Sequence, residues 1–239
     1  MLVPIAFAAS FIYGIAGFGA GLLTVPIASH FIDLRFVLAV FCLLDAVIAT
    51  RLLAERPREV DRGELVRLVP GCLIGVALGV VLLGVLPAHI LMIALGGFCL
   101  VYGVVSLALP SAMPVIGRAW AWLAGVTGGI TSALFGAGGP PYAIYLSMRP
   151  HPAVRMRATL AATSVVSIGA RIVAFGAAGM LADADVWLTA LAVVPASLIA
   201  LALARRLADR LSREAILKFV RVLLCVAGAS LIARAGMLG

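Results

Sequence analysis

FGAGGPP at residues 135–141 and GFGAG at residues 17–21 put helix-breaking glycine and proline inside two stretches that carry no charged side chain. Those stretches run over residues 2–29 and 119–148, and equally charge-free windows cover 68–117 and 186–204. Each is about as long as the roughly 20 apolar residues that cross a bilayer, or longer. The 68–117 window suffices for two crossings, split at Pro87. Two more windows are apolar around a central charge: 36–54 around Asp45, with Arg51 toward its end, and 158–182 around Arg171. A last segment, 215–235, carries Lys218 and Arg221 near its start. With 64% hydrophobic and 12% charged residues among 239, the chain holds more apolar surface than one soluble core can bury. It reads as an all-α polytopic membrane protein whose first partner is the lipid bilayer.

The net charge of +8 does not point to nucleic acid, because the basic residues sit in short loops between spans and act as topology signals. The first apolar run exceeds the roughly 7–15 residues of a signal-peptide core and lacks a basic leader, so no cleaved signal is expected. Cys42, Cys72, Cys99 and Cys225 lie singly in apolar segments without CxxC spacing, and read as packing thiols. No metal or cofactor is expected.

The two halves share landmarks. Gly19 and Gly21 align with Gly136 and Gly138, Arg51 with Arg171, Pro70 with Pro195, and Gly103 with Gly228, as the offset grows from 117 to 120 to 125. The chain therefore divides into an N-terminal repeat (1–110), a linker (111–118) and a C-terminal repeat (119–239). Equivalent loops carry opposite charge bias. Arg56, Arg58, Arg62 and Arg67 correspond to a loop holding only Asp183 and Asp185, while the bare turn at Pro87 corresponds to Arg205, Arg206, Arg210 and Arg213. Opposite bias implies inverted repeats, which require an odd number of crossings in each half. That holds if each glycine segment is re-entrant, so that a repeat is one broken glycine-rich segment plus three transmembrane helices. The count then puts thirteen basic residues on one face and only Arg35 and Arg234 on the other.

A stretch of 28–30 residues fits two half-membrane helices meeting at a bend. Non-helical backbone at that depth is tolerated only against protein or a water-filled cavity, so the bends belong at the interface between halves. Pro140 suits the first turn of a returning half-helix, whose free amides and positive dipole end favour an anion. Gly17, Gly19, Gly21, Gly136, Gly138, Gly139 and Pro140 are thus candidate substrate-lining residues. The competing reading is that the glycines only let helices pack closely.

Arg171 is costly near a bilayer midplane without a partner. The partner is an anionic substrate, or Asp45 in the other half, or the interface by snorkelling; the sequence leaves these open. Asp45 is also a proton-coupling candidate, with a proton or cation as coupling partner. Thr163, Ser164 and Ser167 lie within two turns of Arg171 and either donate to a substrate or bond back to their own helix. Arg221 reads as snorkelling.

The motifs GIAGFGAGLLTVP (14–26) and GGITSALFGAGGPP (128–141), in a duplicated chain of this length, resemble the TauE/SafE sulfite exporter family of membrane permeases. The resemblance implies a carrier of sulfite, sulfonates or related small sulfur anions. The first motif departs from the family in reading Gly19-Ala20-Gly21 where consecutive glycines are common. The expected function is a secondary transporter in the cell membrane, of the bacterial inner-membrane kind, since no GxxxxGK[ST] motif supports ATP use. The alternatives are a transporter of another small organic anion and an intramembrane enzyme. The second is disfavoured because His30, His89 and His151 fall in loops and Asp45 is the acidic residue near a midplane.

Overall fold

The computed structural model describes residues 2–16, 20–108, 115–150, 152–207 and 213–238. These form ten α-helices: α1 (Leu2–Ala16), α2 (Ala20–Ala28), α3 (Leu34–Glu55), α4 (Arg62–Val85), α5 (Ala88–Ala108), α6 (Trp120–Phe135), α7 (Gly139–Ser147), α8 (Ala153–Ala177), α9 (Ala184–Leu207) and α10 (Arg213–Leu238). A short 3-10 turn (Pro57–Glu59) lies between α3 and α4. The expected all-α membrane architecture is present. Helices α3, α4, α5, α8 and α9 are long and apolar enough to cross a membrane. Large apolar side chains such as Val81, Val85, Val101 and Leu191 are exposed along them, as lipid-facing surface requires.

Local chemistry sets the helix ends. Asp33 caps α3 by accepting from the Arg35 and Phe36 amides at 2.9 and 3.2 Å, and Asp61 caps α4 by accepting from the Glu64 amide at 3.0 Å. Gly136 ends α6 in the left-handed region (φ 63°), which glycine enters without the Cβ penalty. Pro140 and Pro141 then open α7, where a missing N–H breaks no intrahelical bond. The limbs of each broken segment are unequal. α1 and α6 have 15 and 16 residues while α2 and α7 have 9 each, so the long limbs span roughly 23 Å and the short ones roughly 14 Å.

The second broken segment ends where it began. The Ile116 amide donates to the Met148 carbonyl at 3.2 Å, and Arg149 Nη1 donates to the Ile116 carbonyl at 2.6 Å. Inside the hairpin, α7 lies so close along α6 that a Cβ on Gly128 would collide with the Tyr142 ring. One simple crossing would instead separate Ile116 from Arg149 by a hydrocarbon core about 30 Å thick.

The most extensive helix pairings exchange onto themselves when the five helices of one half are swapped for those of the other. α4 packs on α6 as α1 packs on α9, α4 on α8 as α3 on α9, while α3 with α8 and α5 with α10 are self-paired. The α4–α6 contact is backbone-close: a Cβ on Gly71 would lie 2.7 Å from the Trp122 carbonyl oxygen, and one on Gly125 2.6 Å from that of Leu68. Gly96 and Gly228 do the same for α5 and α10. Small residues at these crossings are the usual device by which membrane helices gain van der Waals contact.

Candidate functional site

Arg171 of α8 and Asp45 of α3, each near the middle of its helix, meet across the contact between halves. Arg171 Nη2 donates to Asp45 Oδ2 at 2.8 Å, with the arginine side chain 1% exposed and the aspartate 13%. Nη1 donates to the Ser132 carbonyl at 2.7 Å and Nε to Cys42 Sγ at 3.2 Å. The guanidinium carbon lies 5.9 Å from the centroid of the Phe175 ring. The Ser132 carbonyl, in the last turn of α6, also accepts from the Gly136 amide at 3.0 Å and takes the guanidinium on its second lone pair. Three of the five guanidinium N–H groups have these partners.

The α6–α7 bend sits against this cluster. A Cβ on Gly136 would point 3.5 Å from Arg171 Nη1 and 3.4 Å from Val25 of α2. The first half meets it there, for the backbone of Gly21 in α2 touches the Gly136 carbonyl so closely that a Cβ on Gly21 would collide with it. Broken segments from both halves and the buried ion pair therefore share one location. Gly17 and Gly19 lie outside the described residues.

The remaining candidates separate by geometry. Gly138 is packed: a Cβ there would stand 2.8 Å from Ser132 Cβ and 2.9 Å from the Gly128 carbonyl oxygen. Gly139 is half-buried, with nothing within 4 Å of an added Cβ. Pro140 and its neighbour Pro141 carry no N–H, so the first turn of α7 offers amides only from Gly139 and Tyr142. Thr163 is buried and donates to the Thr159 carbonyl of its own helix at 2.9 Å. Ser164 is half-buried on the same turn. Ser167 receives a bond from Tyr142 Oη at 3.3 Å, and that hydroxyl also lies 3.1 Å from Cys72 Sγ, tying the start of α7 to α8 and α4.

Several residues around the site were not singled out by sequence. Cys42 read as a packing thiol, and Ser132 contributes through its backbone, which residue type does not reveal. A second buried cluster holds the far end of α7. Glu64, 2% exposed, accepts from Tyr145 Oη at 2.5 Å and from Arg149 Nε at 3.2 Å, with Arg67 at 3.7 Å. The i, i+3 pair Tyr142–Tyr145 directly after the double proline was the available signal, whereas Arg149 lies past the end of α7 and reaches Glu64 from there.

The model of the sulfite exporter TauE/SafE family matches residues 2–231. The chain belongs to the TauE/SafE family. Among curated proteins and among solved structures, none matches it. Membership makes the chain a multi-pass membrane transporter of the anion-exporting class. It also gives the Arg171 cluster a setting: in this TauE/SafE member a buried cation lies beside the α6–α7 bend and the start of α2.

Proposed function

We propose that the chain is a secondary transporter of small sulfur-containing anions, sulfite or organosulfonates, held between two inverted repeats at the point where their broken segments meet Arg171. The observation that carries this reading is the Gly21–Gly136 contact beside the guanidinium. It brings the start of α2 close to the α6–α7 bend and the buried positive charge. Discontinuous helices that aim their N-termini at an anionic group are the recurrent solution in carriers built from repeats. In this reading Gly17, Gly19, Gly21, Gly136 and Gly139 line the anion by backbone, Arg171 supplies its two further N–H groups, and Ser164 borders the space. Gly138, Pro140 and Thr163 shape it without donating. The tetrahedral or pyramidal oxygens of a sulfonate or sulfite suit several amides and a forked guanidinium at once.

Inversion of the repeats, with 111–118 as the joint, is supported by the exchange of helix pairings and by the return of the 119–148 segment. Segments counted as sharing a face also touch: Glu64 meets Arg149 at one end, whereas Arg234 Nη1 donates to the His30 carbonyl at the other. Exposed Trp120 and Trp122 beside Arg118, and exposed Trp187 beside Asp185, fit aromatic belts at two interfaces. The thirteen-to-two division of basic residues fits a bacterial inner membrane, with the basic face cytoplasmic. Single cysteines in a cysteine-free background check this. Position 58 should resist an impermeant maleimide in intact cells and react after permeabilisation, and position 183 should react from outside. Labelling of position 58 in intact cells overturns the inverted arrangement.

Substrate class is tested by thermal shift of the detergent-purified protein with sulfite, thiosulfate, sulfoacetate, taurine and matched carboxylates. A ligand at 100 times its dissociation constant adds about 2.7 kcal/mol to stability. Stabilisation by the sulfur anions and not by the carboxylates is the expected outcome. Equal or greater stabilisation by carboxylates moves the reading to another organic anion.

A further inference from the structure

We propose that Asp45 carries one proton with each anion, because the carboxylate and the anion contend for the same Arg171 donors; this rests on the anion reading above. The anion-free arrangement is charge-balanced, with Arg171 against Asp45 at 2.8 Å and neutral partners, the Ser132 carbonyl and the Cys42 thiol, on the other bonded N–H groups. Among the described residues Arg171 is the charge that acts on Asp45, and the other charges of α3 itself, Arg35, Arg51 and Glu55, stand more than a turn away along the helix. Helices α2 and α6, which also pack on α3, carry no titratable side chain, and α9 carries Asp185, Arg205 and Arg206 only near its ends. From α8 it is Arg171 that faces Asp45, and on α3 itself Cys42 lies one turn away.

A monoanion placed on the guanidinium while Asp45 stays ionised would leave a net negative charge in a site where Arg171 is 1% exposed. An uncompensated charge in such surroundings is strongly disfavoured. Protonation of Asp45 removes it. A proton from water bonds to the carboxylate, the Arg171 Nη2–Asp45 Oδ2 contact breaks, and the anion takes the vacated donor. The neutral carboxyl then has an O–H to donate to an anion oxygen. On the other side the anion leaves, the carboxyl returns its proton to water, and the ion pair re-forms. One proton and one monoanion move together, and the net charge transferred is zero. Of the two partners Asp45 is the less enclosed, 13% exposed against 1% for Arg171, so the proton is assigned to the carboxylate.

The full chain, reconstituted in phosphatidylethanolamine–phosphatidylglycerol vesicles, is assayed with methanesulfonate, a strong acid that stays anionic near neutral pH. Any proton that accompanies it must travel on the protein. An inward proton gradient of one pH unit should concentrate methanesulfonate about tenfold, an energy of about 1.4 kcal/mol. The vesicle lumen should acidify as the anion enters, and an imposed membrane potential should leave the ratio unchanged. In Asp45→Asn the ratio should fall to about one, and in Asp45→Glu it should persist. The ratio at equilibrium follows stoichiometry and not rate, so a slow variant still reports. If Asp45→Asn does not fold, lumen acidification by the wild type decides. Exchange of preloaded methanesulfonate without response to the proton gradient overturns the proposal, as does a sodium gradient that drives accumulation instead, or an Asn variant that still concentrates the anion. Failure of the wild type to exchange methanesulfonate, sulfite or thiosulfate overturns the anion reading itself, and the coupling falls with it.

Discussion

Arg171→Ala is expected to lower stability by about 3–5 kcal/mol, the cost of leaving one partner of a buried ion pair charged and alone. The orphan is Asp45, which loses the Nη2 donor at 2.8 Å. The Ser132 carbonyl and Cys42 Sγ lose a donor at the same time, and Phe175 loses its stacked cation. Adding Asp45→Asn should recover roughly half of the loss, because a neutral amide in the same place needs no counter-charge. The shift in melting temperature for both single variants and the double variant, in one detergent, measures the coupling between them. Additive losses would mean that the pair contributes little beyond its packing. Arg171→Lys keeps the charge but not the fork. A Lys ammonium reaching Asp45 should hold most of the stability, yet it cannot also serve Ser132, Cys42 and two oxygens of an anion. It should therefore bind sulfite or a sulfonate at least tenfold more weakly, about 1.4 kcal/mol. Normal anion binding in Arg171→Lys would remove the guanidinium from the site.

Gly138→Ala and Gly139→Ala are expected to fail in opposite ways, although the two glycines are adjacent. A methyl at Gly138 meets Ser132 Cβ at 2.8 Å and the Gly128 carbonyl oxygen at 2.9 Å, so α6 and α7 must move apart. Overpacking of this kind costs about 1–3 kcal/mol, and the melting temperature without ligand should drop. At Gly139 an added methyl meets nothing within 4 Å, and the residue is in the helical conformation at the start of α7. Stability should barely change there. In the proposed site the anion is held at the first amides of α7, and a methyl on the residue that opens that helix should crowd it, so affinity should fall about tenfold, roughly 1.4 kcal/mol. Thermal shifts with and without sulfite separate the two quantities. If Gly139→Ala binds the anion as the wild type does, the α7 end is not a ligand contact and the glycines of this bend are packing devices.

The membrane class, the approximate place of the apolar helices and the family were legible in the sequence, although α4 begins at Arg62, inside the stretch read as a basic loop. Charge-free windows of the right length admit few alternatives in a bilayer, where every backbone group must be satisfied within its own helix. Gly and Pro mark the interruptions because the left-handed turn at Gly136 and the amide-free start at Pro140 restrict residue type. Legibility ended where partners are chosen. Arg171 was visibly in need of one, yet substrate, Asp45 and the interface met that need equally well on a one-dimensional reading. The crossing of α3 and α8 put Asp45 2.8 Å away. Likewise the repeated glycines announced two breaks, but only the packed helices make Gly21 touch Gly136 and leave Gly138 crowded beside an open Gly139. Spacing along a chain fixes which groups one helix presents. The distance between groups on different helices is set by crossing angles and small-residue contacts, and no single segment contains those. The sequence by itself therefore determined an all-α membrane protein of this family with a mid-span cation in need of a partner, and tertiary structure alone decided what that cation holds.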